Sequence, residues 1–267
     1  MEVNDICEWC SLNGLFINFD KTKYMVFHKE KDLSINLEKN TVINVNGYSI
    51  IRVFEFKYLG LIFDPCMKFA KHFADVQNKI SHRLSYLQGI KRYLNAHVMI
   101  IMLNAYVNSV IDYGLDIWAV QSKAQLSQIQ GRIDRFIVSF FLPGLVRRSK
   151  LCYNSLKSSI NIHELWLKCN FLSVSERINY VILKNMYDCY RSEELCFSQR
   201  SLDKNMPLVV VPSFQSQIFK NSIVFRGASL WNTLPANWIL KNLSYNKFKD
   251  LVKEWIIVKR SDEFIYD

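Results

Sequence analysis

The spacing of apolar residues changes period once along the chain. Before residue 66 the apolar runs are short and strand-like: Leu15 to Phe19, Tyr24 to His28, Leu33 to Leu37, Val42 to Val45, Tyr48 to Val53 and Lys57 to Phe63. Asn46-Gly47, between Val45 and Tyr48, is the strongest hairpin signal, because both residue types accept the positive φ that a two-residue turn demands. Ahead of these runs, Val3, Ile6, Trp9 and Cys10 recur at helical spacing and Asn13-Gly14 supplies a stop, which predicts a helix over residues 2–13. From Lys68 the period lengthens to about 3.6 residues, the repeat of an amphipathic helix. Phe69, Phe73, Val76, Ile80, Leu84 and Leu87 mark its inner face. A second helix is predicted over 96–111. A third follows Ser122, with Leu126, Ile129, Ile133, Phe136, Ile137 and Phe140 inward, and stops at Pro143-Gly144. Ser173 and Glu176 have the spacing of a capping box ahead of a helix that runs to about Tyr190. A last helix spans 244–256, with Phe248, Leu251, Val252 and Trp255 inside.

The pattern predicts an α+β chain: a small antiparallel sheet with a helix over 1–66, a helical region over 67–150, and a second helical region over 151–267 with a polar, Pro-containing loop at about 191–216. Half of the residues are hydrophobic, so a packed core is feasible, and a charged fraction of 22% with no low-complexity tract argues against disorder.

Charge adds an asymmetry. Residues 1–70 hold 8 Lys/Arg against 9 Asp/Glu, a net of −1, whereas residues 71–150 hold 11 against 4, a net of +7. Residues 151–267 hold 15 against 11, a net of +4. A region of that kind attracts polyanions, or is a solvated surface. The 7 cysteines are odd in number and scattered; Cys7 and Cys10 form a C-x-x-C pair with no second pair at zinc spacing, and read as two small apolar residues of one helix. The amino terminus, Met1 to Glu8, carries three acids and no apolar run, so an intracellular protein with reduced thiols is expected. The longest uncharged stretch, Tyr93 to Ile111, contains Asn95, His97, Asn104, Asn108 and Ser109, too polar for lipid, so no membrane partner is expected.

Four segments, in order, resemble the end of a reverse transcriptase of the non-LTR retrotransposon (LINE, jockey-like) type. Trp9 through Lys23 (WCSLNGLFINFDKTK) resembles the motif D region of the palm. Phe56 through Asp64 (FKYLGLIFD) is similar to motif E, the primer grip. Asp112 through Trp118 (DYGLDIW) follows a helix as the comparable thumb segment does, and Phe225 through Pro235 (FRGASLWNTLP) looks like a segment near the family's end. The resemblance implies a palm remnant over 1–66 and a thumb over 67–150. It also places the family's Asp-Asp hairpin ahead of the segment matching Glu2 to Cys10, and no Asp-Asp pair occurs in the chain.

Phosphoryl transfer of this type needs clustered carboxylates to hold two divalent ions. Asp20, Asp64, Asp112 and Asp116 are isolated: the first two read as turn residues and the others lie where a helix ends. A complete enzyme would need Mg2+; in this chain no metal site and no cofactor is expected. The resemblance gives Lys21 the role of motif D lysine, protonating or orienting departing pyrophosphate. Read from the residues alone, Lys21 is a surface lysine in a turn. Tyr58, Leu59 and Gly60 would form the primer grip, where glycine lets one backbone approach another; alternatively Gly60 marks a bulge in an ordinary strand. Lys71, Lys79, Arg83, Lys91 and Arg92 on the first long helix are the candidate nucleic-acid contacts, of a salt-sensitive and sequence-independent kind, against the bland reading of a solvated face. Arg147, Arg148 and Lys150 form a second basic cluster whose reading stays open between a phosphate contact and a solvated loop.

The expectation is a truncated RNA-directed DNA polymerase without polymerase activity of its own, retaining at most binding to RNA or an RNA–DNA duplex, with no small-molecule ligand. The rival, from a different class, is a helical protein-interaction module domesticated from such a remnant.

Overall fold

A computed structural model describes residues 3–28, 42–45, 47–119, 123–143, 162–192, 199–200, 208–211, 213, 222–235, 238 and 243–263. The chain is α+β and mainly helical. It divides into two compact units, Met1–His72 and Phe73–Asp267, so that the division falls inside the first long helix. The expected strand Leu33 to Leu37, the basic cluster Arg147, Arg148 and Lys150, and the expected boundary at 150 lie outside the described residues.

In the first unit, helix α1 (Val3–Leu12) ends because Gly14 takes φ 68°. The Leu15 amide then donates to Cys10 O (2.8 Å) and the Gly14 amide to Ser11 O (3.2 Å), the Schellman arrangement that satisfies two terminal carbonyls. No residue of α1 is buried. Strands β1 (Lys23–Tyr24), β2 (Val42–Val45) and β3 (Tyr48–Arg52) form one sheet in the order β1-β3-β2. β2 and β3 are antiparallel, with Val45 opposite Tyr48 and Gly47 at φ 81°, as the Asn46-Gly47 signal requires. β1 joins β3 in parallel, Lys23 opposite Ile51 and Tyr24 opposite Arg52, so the sheet is mixed rather than purely antiparallel.

Three strand expectations are corrected. Leu15 to Phe19 forms no ladder: it enters a turn in which Asn18 Oδ1 accepts from the Lys21 amide (3.1 Å), and Phe16 stays almost fully exposed at 99%. Of Tyr24 to His28, among the described residues Tyr24 alone joins a ladder, while the His28 amide donates to Pro65 O (3.1 Å). Lys57 to Phe63 is not one strand but a hairpin, β4 (Phe56–Tyr58) against β5 (Leu61–Phe63). Leu59 and Gly60 both have positive φ, 45° and 85°, which reverses the chain in two residues.

The hairpin leads into α2 (Ala70–Ile90) through a loop organised by one side chain. Asp64 Oδ1 accepts from the Cys66 and Lys68 amides (3.1 Å each) and Oδ2 from the Phe69 amide (2.6 Å). A carboxylate receiving three N–H groups fixes the loop as an N-terminal cap would, and holds Met67 and Phe69 at φ 53°.

In the second unit, Phe73, Val76, Ile80, Leu84 and Leu87 are all buried, so the 3.6-residue face of α2 is the one facing the core. A 3-10 turn (Lys91–Tyr93) follows. Helix α3 (Ala96–Met102), capped by Asn95 Oδ1 accepting from the Val98 amide (2.9 Å), widens into a π-helical stretch (Leu103–Asn108) and continues as α4 (Ser109–Asp112). Side-chain amides accompany the widening: Asn108 Nδ2 donates to Asn104 Oδ1 (2.9 Å) and Asn104 Nδ2 to Ile100 O (3.0 Å). Gly114, at φ 61°, turns the chain into α5 (Leu115–Trp118), and α6 (Lys123–Phe141) follows. Ile129, Ile133, Phe136 and Ile137 are buried, while Leu126 and Phe140 are half-buried.

Helix α7 (Ile162–Lys168) leads to α8 (Val174–Ser192). The capping box is present: the Ser173 amide donates to Glu176 Oε2 (2.7 Å), and the Glu176 amide to Ser173 Oγ (3.3 Å). Strands β6 (Gln199–Arg200) and β7 (Leu208–Val209) pair antiparallel within the expected loop. Helices α9 (Ile223–Trp231) and α10 (Tyr245–Glu263) pack on α8 around Tyr187, which stacks on Phe248 at 4.0 Å with Trp231 beside it. Among the described residues no helix is long and apolar enough to cross a membrane.

Candidate nucleic-acid interface

Helices α2 and α6 meet along a polar seam. Gln77 Nε2 donates to Gln128 Oε1 (2.9 Å), Arg132 Nη1 to Ser81 Oγ, and Ser139 Oγ to Gln88 Oε1 (3.1 Å). All three pairs are 51 residues apart in sequence, so the two helices run in the same direction. Lys91 Nζ closes the far end on Ser139 O (3.2 Å). The groove beside this ladder has a volume of about 530 Å³ and is walled by Ser81, Ser85, Gln88, Arg132, Arg135 and Ser139 over Leu84 and Phe136. None of these side chains is acidic. Asp134, between the two arginines in sequence, is buried on another side of α6, where its Oδ1 accepts from Gln130 Nε2 (2.7 Å) and Trp166 Nε1 (3.1 Å).

The cations expected to bind nucleic acid have intramolecular partners. Lys71 pairs with Glu55 (2.6 Å) in the first unit, and Lys79 with Asp75 (2.6 Å) one helical turn away. Both pairs are exposed, so each contributes only about 0–1 kcal/mol and leaves the lysine competent to exchange partners. Arg83 is held more firmly: its guanidinium donates to Tyr106 O and to Ser109 Oγ (3.4 Å) and lies over the Tyr106 ring at 4.7 Å. Lys91 is committed to Ser139, and Arg92 lies exposed over the Tyr93 ring at 5.6 Å. The five cations therefore do not form one open stripe. Arg132 and Arg135 lie at Gln-Gly-Arg and Asp-Arg in a helix whose apolar spacing alone drew notice in the sequence. Their signal was the three-residue separation, which puts them on one face of α6.

In the first unit, Lys21 is exposed and begins no interaction beyond the Asn18 turn. Tyr58 and Leu59 are exposed, at 58% and 71%. Tyr58 also lines a pocket of about 210 Å³ with Lys23, Tyr24, Met25, Phe27, Val53, Phe56 and Phe63. Gly60 serves the hairpin turn, which is the local reason for glycine there.

The four aspartates singled out in the sequence have separate surroundings. Asp64 is occupied by three amides. Asp112 accepts both arms of the Arg177 guanidinium, at 2.9 and 2.8 Å, and Asp116 Oδ2 accepts from Asn185 Nδ2 (2.9 Å). Asp20 is exposed in the turn. Among the described residues no three His, Cys, Asp or Glu side chains gather as metal ligands do. Cys7 and Cys10 are half-buried free thiols.

The segments that carry the resemblance in the second unit act as interhelical pins. Asp112 and Asp116 both hold α8, and Trp118, fully buried, donates from Nε1 to Tyr113 O (2.9 Å). Asn232 clasps the Val209 backbone with both ends of its amide: Oδ1 accepts from Val209 N (2.9 Å) and Nδ2 donates to Val209 O (2.8 Å). Gly227 lies where a Cβ would stand 2.4 Å from Met186 Sδ, so glycine is what lets α9 approach α8. Where α8 faces α10, burial lowers the Lys184 and Lys253 ammonium pKa values and raises those of the Tyr180, Tyr187 and Tyr245 phenols.

No protein-family model matches the chain, and neither a curated protein nor a solved structure does.

Proposed function

We propose that the chain is part of a reverse transcriptase of the non-LTR retrotransposon type, and that it holds RNA or an RNA–DNA duplex without supplying catalytic carboxylates. The observation that carries this reading is the charge of residues 71–150, 11 Lys/Arg against 4 Asp/Glu, together with the acid-free groove between α2 and α6. The four resembling segments support the lineage, and the partners of Asp64, Asp112 and Asp116 support the non-catalytic part of the reading. Among the described residues no three His, Cys, Asp or Glu side chains gather to hold Mg2+, which supports the reading without chemistry of its own.

The purified chain, incubated with a labelled RNA–DNA hybrid, should retard it in a native gel at low salt, and should not extend its primer with Mg2+ and deoxynucleotides. A chain shown by circular dichroism to be folded, and leaving the hybrid unshifted, contradicts the binding reading. Primer extension contradicts the non-catalytic one.

A further inference from the structure

We propose that the groove between α2 and α6 is the seat of nucleic-acid phosphates, with Arg132 and Arg135 as the contacting cations. It rests on the nucleic-acid reading above and deepens it, moving the contact from the α2 stripe to the facing wall on α6.

Three observations carry the assignment. First, the side chains that meet across the seam are polar although both helices turn apolar faces to the core, so the groove beside it has polar walls over its Leu84 and Phe136 floor. Second, its walls present two guanidiniums and no carboxylate; the Ser81 and Ser139 hydroxyls donate within the protein, to Gln77 O (2.8 Å) and Phe136 O (2.8 Å), and Arg135 Nε donates to Gly131 O (2.9 Å), so the remaining guanidinium N–H groups are the donors that phosphate oxygens would meet. Arg132 donates from Nη1 to Ser81, which positions the guanidinium; four of its five N–H donors are uncommitted by that bond. Third, Arg83, the arginine on α2, is turned elsewhere, onto Tyr106 and Ser109. The parallel run of the two helices makes the groove a trough rather than a point site, and its Leu84 and Phe136 floor lets sugar edges lie against it. Phosphate contacts of this kind carry no sequence information, so the trough takes any sequence of the right backbone.

The test is fluorescence anisotropy of a labelled RNA–DNA duplex against the full chain over a salt series, for wild type, Arg132→Gln/Arg135→Gln, Ser85→Asp and Lys79→Gln. Each phosphate contact contributes about 0.9 to the slope of log K against log salt on a duplex. The double arginine variant is expected to lower that slope by about 2 and to weaken binding at low salt by about tenfold or more. Ser85→Asp keeps both arginines yet places a negative charge in the trough, and is expected to weaken binding too. It guards against a folding defect in the double variant. Lys79→Gln is expected to change the slope by less than about 0.5. Wild-type binding that both the double variant and Ser85→Asp leave unchanged overturns the groove assignment while the nucleic-acid reading stands. No wild-type binding overturns that reading, and the assignment with it. Poly-glutamate displacing the duplex at equal charge concentration overturns the nucleic-acid assignment in favour of an acidic peptide.

Discussion

Single residues in this chain do most of their work on backbone. Asp64 receives three amides and thereby holds two non-glycine residues at positive φ. Asp64→Ala leaves those amides to water and the strained loop unsupported. The expected loss is about 1–3 kcal/mol, read from the urea midpoint of the chain. Gly227 is the other position with a sharp demand. Gly227→Ala puts a methyl into Met186, and the expected cost is about 1–3 kcal/mol, as for other overpacked cores. Met186 is flexible, so Met186→Ala in the Gly227→Ala background should recover part of that loss, a coupling that a double-mutant cycle measures. Some of this was legible in sequence. The Ser173/Glu176 capping box is a local pattern, four residues long, and it formed as its spacing predicts. The aspartates were legible as turn and helix-end residues. What each one binds was not, because Arg177 and Asn185 lie 65 and 69 residues from Asp112 and Asp116.

At the scale of elements, long helices were legible and short strands were not. A helix of 21 residues repeats its apolar face several times, and the buried apolar positions of α2 follow that repeat, with His72 buried beside them. The segment Lys57 to Phe63 has no such redundancy. Alternating apolar residues fit one strand or a hairpin equally, and the decision rests on Leu59 accepting φ 45°. Leucine is a poor residue there, whereas Asn-Gly is the preferred pair for such a turn. Leu59→Asn should therefore stabilise the hairpin by about 0.5–1 kcal/mol, seen as a rise in amide protection at Tyr58 and Leu61. The helical seam around α8 makes a prediction about pH. Burial raises the Tyr180, Tyr187 and Tyr245 pKa values above 10 in the folded chain. Their contribution is complete below pH 10, and it is lost as pH rises through the folded values, because the unfolded chain then carries fewer protons on them. Lys184 and Lys253 have the opposite sign. Their lowered values make the folded chain shed protons first, so their penalty is present at neutral pH and relieved as pH approaches 10.5. Lys184→Met should accordingly stabilise the chain at pH 7 and not at pH 10.5, and Tyr180→Phe should flatten the fall in stability above pH 10. Thermal unfolding across a pH series checks both.

At the scale of the whole molecule, composition announced a basic helical region, but not which of its cations face one another. That depends on the return path through α3, α4 and α5, which sets α2 and α6 in parallel at an offset of 51 residues. Helical spacing within α2 put Lys79 and Arg83 on one face; neighbours from Asp75 and Tyr106 then claimed them. The first unit exposes a run of apolar residues, Ile6, Trp9, Leu12, Leu15 and Phe16. It is the feature that the rival reading, a protein-interaction module, would use. The two readings part on a single quantity, the salt dependence of binding to an RNA–DNA duplex. If the chain holds nucleic acid through its phosphates, log K falls linearly with log salt, with a slope of at least about −2 for the two groove arginines. A folded chain whose duplex binding is absent at low salt, or indifferent to salt, contradicts the account.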